Sequence, residues 1–176
     1  MTKTSIFMTA ALLAMAGFAH AQTGTTTLSV NVGPEAALTV NTSTTTLSTA
    51  STTFGNPFTG TTNLTYLIRT SKSSGTGSLT LKITADFGGT GGPSVATPPS
   101  TGDALAYTCT VSAPGTACTG SQTASTTAST PFGTWGAAAN STKAGNSASV
   151  AWSLTDDPAY AQGTYTATAT FTISAT

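Results

Sequence analysis

Residues 163–173 read Gly-Thr-Tyr-Thr-Ala-Thr-Ala-Thr-Phe-Thr-Ile. Every even position from Thr164 to Thr172 is threonine, while the odd positions Tyr165, Ala167, Ala169, Phe171 and Ile173 are apolar. Successive side chains of a strand point to opposite faces, so this spacing predicts a strand with one hydroxyl face and one core face. Threonine and the aromatic residues also suit a pleated, half-buried surface.

The same period of two recurs along the chain. Leu28, Val30 and Val32 alternate with Ser29 and Asn31, and Leu38 and Val40 continue after a Gly33-Pro34 break. Leu64, Tyr66 and Ile68 share one parity, although Leu67 is apolar on the opposite face. Leu79, Leu81, Ile83, Ala85 and Phe87 form a long alternation, with Thr80, Lys82, Thr84 and Asp86 expected to face water. Leu105, Tyr107, Cys109 and Val111 follow the rule, as do Ala148, Val150, Trp152 and Leu154. The 3.6-residue recurrence of an amphipathic helix does not occur after residue 21; Ala137-Ala138-Ala139 is short and flanked by Gly136 and Asn140. About seven to nine strands with one apolar face each predict an all-β fold, an immunoglobulin-like antiparallel β-sandwich.

Two connections look irregular. Gly88–Asp103 holds Gly88-Gly89, Gly91-Gly92-Pro93 and Pro98-Pro99, which a sheet ladder would not tolerate. Thr119–Ser147 is rich in Thr, Ser and Ala, with Phe132 and Trp135 as its large apolar groups and a short edge strand as their expected setting.

The first residues have the form of an export signal. Lys3 precedes an apolar run from Ile6 to Phe18, and Ala19-His20-Ala21 matches a small-x-small cleavage site. Residues 1–21 are therefore expected to be a signal peptide and 22–176 one sandwich domain, secreted to the cell surface or outside the cell with the periplasm in transit. No transmembrane anchor is expected. Without Lys3, four cationic side chains stand against five acidic ones, a balance that offers no basic face for nucleic acid. About a quarter of residues 22–176 are threonine, so hydroxyls must supply the solubility that charges usually do. Cys109 and Cys118, in an exported chain, are expected to form a disulfide around the Pro114-Gly115 turn.

Catalytic groups are scarce. His20, the lone histidine, belongs to the signal peptide, which removes Ser-His-Asp and Cys-His arrangements and the commonest zinc ligand. Ser71-Lys72-Ser73 reads as a solvated turn rather than a Ser-Lys pair. Asp156-Asp157-Pro158 also reads as a turn, with calcium as the sharper alternative; two local carboxylates fall short of the six to eight oxygens calcium takes. No enzyme activity, metal or cofactor is expected. Trp152 and Tyr165 fall at core parity, and Tyr160 or Tyr165 is a candidate for the corner hydrogen bond of sandwich folds. Trp135 is the one aromatic expected at the surface, where it could contact a ligand. Asn41, Asn63 and Asn140 begin Asn-x-Ser/Thr sequons.

The ending Gly163-Thr164-Tyr165-Thr166, followed by alternating small and apolar residues, resembles the last strand of the secreted spore coat protein U and fimbrial-subunit families. The resemblance lies in the last dozen residues, together with the sequence of signal peptide, alternating N-terminal strand and Thr/Gly-rich sandwich. It implies self-association into a filament or coat by strand donation, with Thr25–Val32 as donor and Leu28, Val30 and Val32 filling pockets of a neighbour. An ordinary first strand of the same domain is the other reading of that segment. The function expected is a structural subunit of an extracellular fibre, pilus-like filament or surface coat. The alternative is an adhesion or carbohydrate-binding module with a glycan or surface partner, resting on Trp135 and the 88–103 loop.

Overall fold

The computed structural model describes residues 23–50 and 52–176. The signal peptide expected over 1–21 lies outside them. Contacts divide the chain into two units, 1–31 and 32–176. In the first, residues 23–31 are exposed and form neither strand nor helix. The second unit is the sandwich.

Nine strands build it: β1 (Glu35–Val40), β2 (Phe58–Arg69), β3 (Gly77–Ala85), β4 (Ala106–Val111), β5 (Thr116–Ala117), β6 (Gln122–Thr123), β7 (Thr130–Trp135), β8 (Asn146–Leu154) and β9 (Thr168–Ala175). A five-stranded sheet runs β1-β2-β8-β4-β6 and a four-stranded sheet β5-β7-β3-β9. All pairings are antiparallel. No helix occurs among the described residues. The all-β sandwich expected from the alternation is the fold observed.

The parities read from the sequence place the core. Leu64, Tyr66 and Ile68 of β2, Leu79, Leu81 and Ile83 of β3, and Ala148, Val150, Trp152 and Leu154 of β8 are all buried, whereas Leu67 turns outward. Tyr66 of the first sheet meets Trp135 of the second edge-on, with ring centroids 4.8 Å apart. The polar tips of Tyr107 and Trp152 are paired: Tyr107 donates to Thr130 Oγ1 (2.6 Å) and reaches the Pro131 carbonyl, and Trp152 Nε1 donates to Thr62 Oγ1 (2.9 Å), whereas Trp135 Nε1 is buried without a hydrogen-bond partner among the described residues. Such partners lower the cost of bringing a phenol or indole into a core.

Two expectations change here. Phe132 and Trp135 lie three residues apart, so a regular strand could not turn both inward. The β3–β7 register shifts between Leu79 and Thr80, leaving Phe132 as the extra residue between Pro131 and Gly133. A bulge of this kind reverses parity beyond it. Phe132 and Trp135 are therefore both buried, at 0 and 4% exposure. Their strand is also not at the edge, because β5 flanks it. Asp86, expected to face water from a continuing strand, instead lies beyond β3, which ends at Ala85 after a second register shift.

The Cys109–Cys118 disulfide is present, with Cα atoms 5.5 Å apart. Cys109 belongs to β4 in the five-stranded sheet, and Cys118 follows β5 in the four-stranded one. The bond thus ties one sheet to the other.

Candidate functional site: the open seam of the sandwich

β1 is the edge of one sheet and β9 the edge of the other, and the two strands lie near each other. β9 pairs only with β3 among the described residues, so its second edge carries backbone N–H and C=O groups with no strand paired to them. Such an edge is a template for another strand. The inward residues of β9 register the gap. Ala169, Phe171 and Ile173 are half-buried, while their counterparts Leu79, Leu81 and Ile83 on β3 are shut from water.

A groove of about 880 Å³ opens at this seam. Val40, Leu47, Phe54 and Phe58 line it from the β1–β2 side, Ala169 and Phe171 from β9, and the core residues Ile83, Leu105, Trp152 and Leu154 at its base. Phe54 (69% exposed) and Val40 (42%) leave apolar surface open to water there. Residues 41–48 run back beside β2, held by Asn41 N to Asn63 O (2.8 Å) and by paired Ser48–Thr59 backbone bonds. They border the groove without closing it.

One end of the groove is built by the glycine-rich loop and the turn after β8. Asp86 organises the loop. Its carboxylate accepts from the backbone N–H groups of Phe87 (2.8 Å), Val95 (2.7 Å) and Ala96 (3.0 Å), and from the Ser94 hydroxyl (2.7 Å). Burial alone would raise the Asp86 pKa, but these donors outweigh it and hold the carboxyl below its ordinary range. Tyr165 covers the same loop. Its ring lies so close to Gly92 that a Cβ there would come within 2.1 Å of it, and its hydroxyl donates to the Ala161 carbonyl (2.7 Å). Of the two tyrosines weighed for a corner bond, Tyr165 makes one. Ala161 N in turn donates to Gly91 O (2.7 Å).

Asp157 behaves as the turn reading expects, accepting from Ala159 N (2.6 Å) through its side chain, while its carbonyl accepts from Tyr160 N (3.0 Å). What the sequence did not indicate is its neighbour Asp103, from the end of the loop, which is 3% exposed. Among the described residues no three His, Cys, Asp or Glu side chains converge as metal ligands would. Lys72 sits in the turn expected of residues 71–73.

The candidate ligand contact at Trp135 is corrected. That indole is in the core, packed on Tyr66 and beside Gly115, and presents no surface to a sugar. In the 88–103 loop Val95 packs against the core, while residues 88–91 and 96–99 are exposed. Leu28, Val30 and Val32 are exposed, at 90, 85 and 58%. Asn41, Asn63 and Asn140 are all exposed. Comparison with protein families, with curated proteins and with solved structures finds no match to this chain.

Proposed function

We propose that this protein is an exported structural subunit, not an enzyme, and that its copies join by strand addition. The segment Thr25–Val32 of one copy enters the seam of the next and pairs with the free edge of β9. The observation that carries this reading is the exposure of Leu28 and Val30 in an alternating segment that has no strand partner among the described residues. Such side chains are costly to leave in water unless something covers them.

The complement has the right form. Thr25–Val32 and β9 are both eight residues long. The segment carries no charge, so its backbone, its hydroxyls and the Asn31 amide are the polar groups to be desolvated. Main-chain bonds to β9 would supply strength and every second side chain would enter the groove. Burial of Leu28, Val30 and Val32 contributes about 1.5–3 kcal/mol each before the cost of ordering the segment. The disulfide agrees with an oxidising compartment.

Sedimentation and electron microscopy of the full chain test the idea. Native protein should form polymers that lengthen with concentration. Val30→Asp places a charge where an apolar pocket waits, and that variant should remain monomeric with an unchanged melting temperature. Polymers formed equally well by Val30→Asp, or native protein that stays monomeric at every concentration, would overturn strand addition through this segment.

A further inference from the structure

The side chains of Asp103 and Asp157 meet at the end of the groove, brought together from the glycine-rich loop and from the turn after β8. Asp103 is shut from water. Its Oδ2 and the hydroxyl of Tyr160 are both buried and lack a formed hydrogen bond, although the phenol stands beside the carboxyl. Asp156 adds a further negative charge facing Tyr160, and Ser100 bonds Asp157. Among the described residues no lysine or arginine enters the cluster, and their one ion pair, Arg69–Glu35, belongs to β1 and β2.

Two carboxylates in contact without a cation cannot both hold a full charge at low cost. One proton resolves the arrangement. Placed on Asp103, it makes an O–H that donates to the Asp157 carboxylate, and the other Asp103 oxygen remains an acceptor for Tyr160. The remaining negative charge then rests on Asp157, where Ser100 and the Ala159 N–H already stabilise it. Asp103 is the natural holder because it is the member secluded from water.

We propose that Asp103 and Asp157 share a single proton in mildly acidic solution, and that this carboxyl pair is an acid-set latch joining the glycine-rich loop to the turn that ends the groove. The latch is a property of the folded subunit and holds whether or not the groove takes a strand. Burial first, and the hydrogen bond to Asp157 second, raise the Asp103 pKa. The Ser100 hydroxyl first, and the Ala159 N–H second, lower that of Asp157. The signs follow. A carboxyl whose folded pKa is raised stabilises fully below its unfolded pKa, and that stability is lost as pH rises through the folded value. Asp157 acts oppositely, losing its contribution as pH falls through its own depressed value. The two titrate as a pair.

Thermal melting of the full chain from about pH 4 to about pH 8, in chelator and again in millimolar calcium, reads the latch. Native protein should lose melting temperature as pH rises. Each pH unit by which Asp103 titrates above its unfolded value moves the folding constant about tenfold. Asp103→Asn should flatten that slope, because the amide donates to Asp157 and accepts from Tyr160 at every pH. Carboxyl-carbon NMR of native protein gives a readout independent of whether that variant folds: one aspartate should keep its proton well above the ordinary range. An Asp103 that titrates in or below the ordinary range, or a slope that persists in Asp103→Asn, would refute the shared proton. Calcium that raises the native melting temperature, and loses this effect in Asp103→Asn, would show a cation where the proton is placed and overturn the latch equally.

Discussion

Replacing Asp86 by alanine should release the glycine-rich loop. The carboxylate accepts four hydrogen bonds, three from consecutive or nearby backbone N–H groups and one from Ser94. A typical net contribution is about 1 kcal/mol per bond, and somewhat more when the acceptor is charged. Ala96 is exposed and Asp86 only half-buried, so water can take over part of what is lost. A destabilisation of about 3 kcal/mol results, or about 6–12 °C in melting temperature for a chain of this length. Urea unfolding measures the global loss, and limited proteolysis within residues 88–103 measures the local one, which should come first. Because the folded pKa of Asp86 is lowered, its contribution is present above the ordinary carboxylate range and lost as pH falls through the folded value. The native protein should therefore approach the variant's stability in acid. A loss below about 1 kcal/mol with unchanged protease resistance would mean that the loop is held by Tyr165 and Val95 instead.

Two further outcomes follow from the packing. Cys109→Ser opens a short loop of sequence separation 9, and chain entropy puts the cost at about 2.6 kcal/mol by guanidinium titration; native-like stability would remove the bond's structural role. Gly92→Ala sets a Cβ 2.1 Å from the Tyr165 ring, so the ring must leave the loop at a cost of about 1–3 kcal/mol, with the fluorescence of Tyr165 shifting accordingly; an unperturbed melt would show that the ring yields freely.

Strand identity was legible wherever a strand is regular. Leu79, Leu81 and Ile83, or Val150, Trp152 and Leu154, announce their face by parity alone, and the structure buries each of them. Parity fails at a bulge, which is why Trp135 reads as a surface residue and is found in the core. Thr25–Val32 shows the opposite limit. Its alternation has the form of a strand, yet alternation needs a partner ladder to become one, and residues 23–31 have none. The groove was illegible because it arises from the order of strands, which leaves β1 and β9 at the sheet edges, and not from any one segment. Asp103 and Asp157 are far apart in the chain, and only tertiary folding makes them neighbours. Asp86 continued a clean alternation and looked like a solvent-facing residue, because nothing local marks the place where a strand stops.

The disulfide sits on the side of the sandwich away from the seam, joining β4 to the residue after β5, whereas β1 and β9 bound the other side. The two sheets therefore resemble the covers of a book bound along its spine. A guest entering at the fore-edge cannot push the covers apart bodily; it can only swing one against the other about the binding. The width of the opening is then set by an angle, and a bulkier guest tilts the sheets most at Phe171 and Phe58 while the packing beside Tyr107 and Phe132 stays closed.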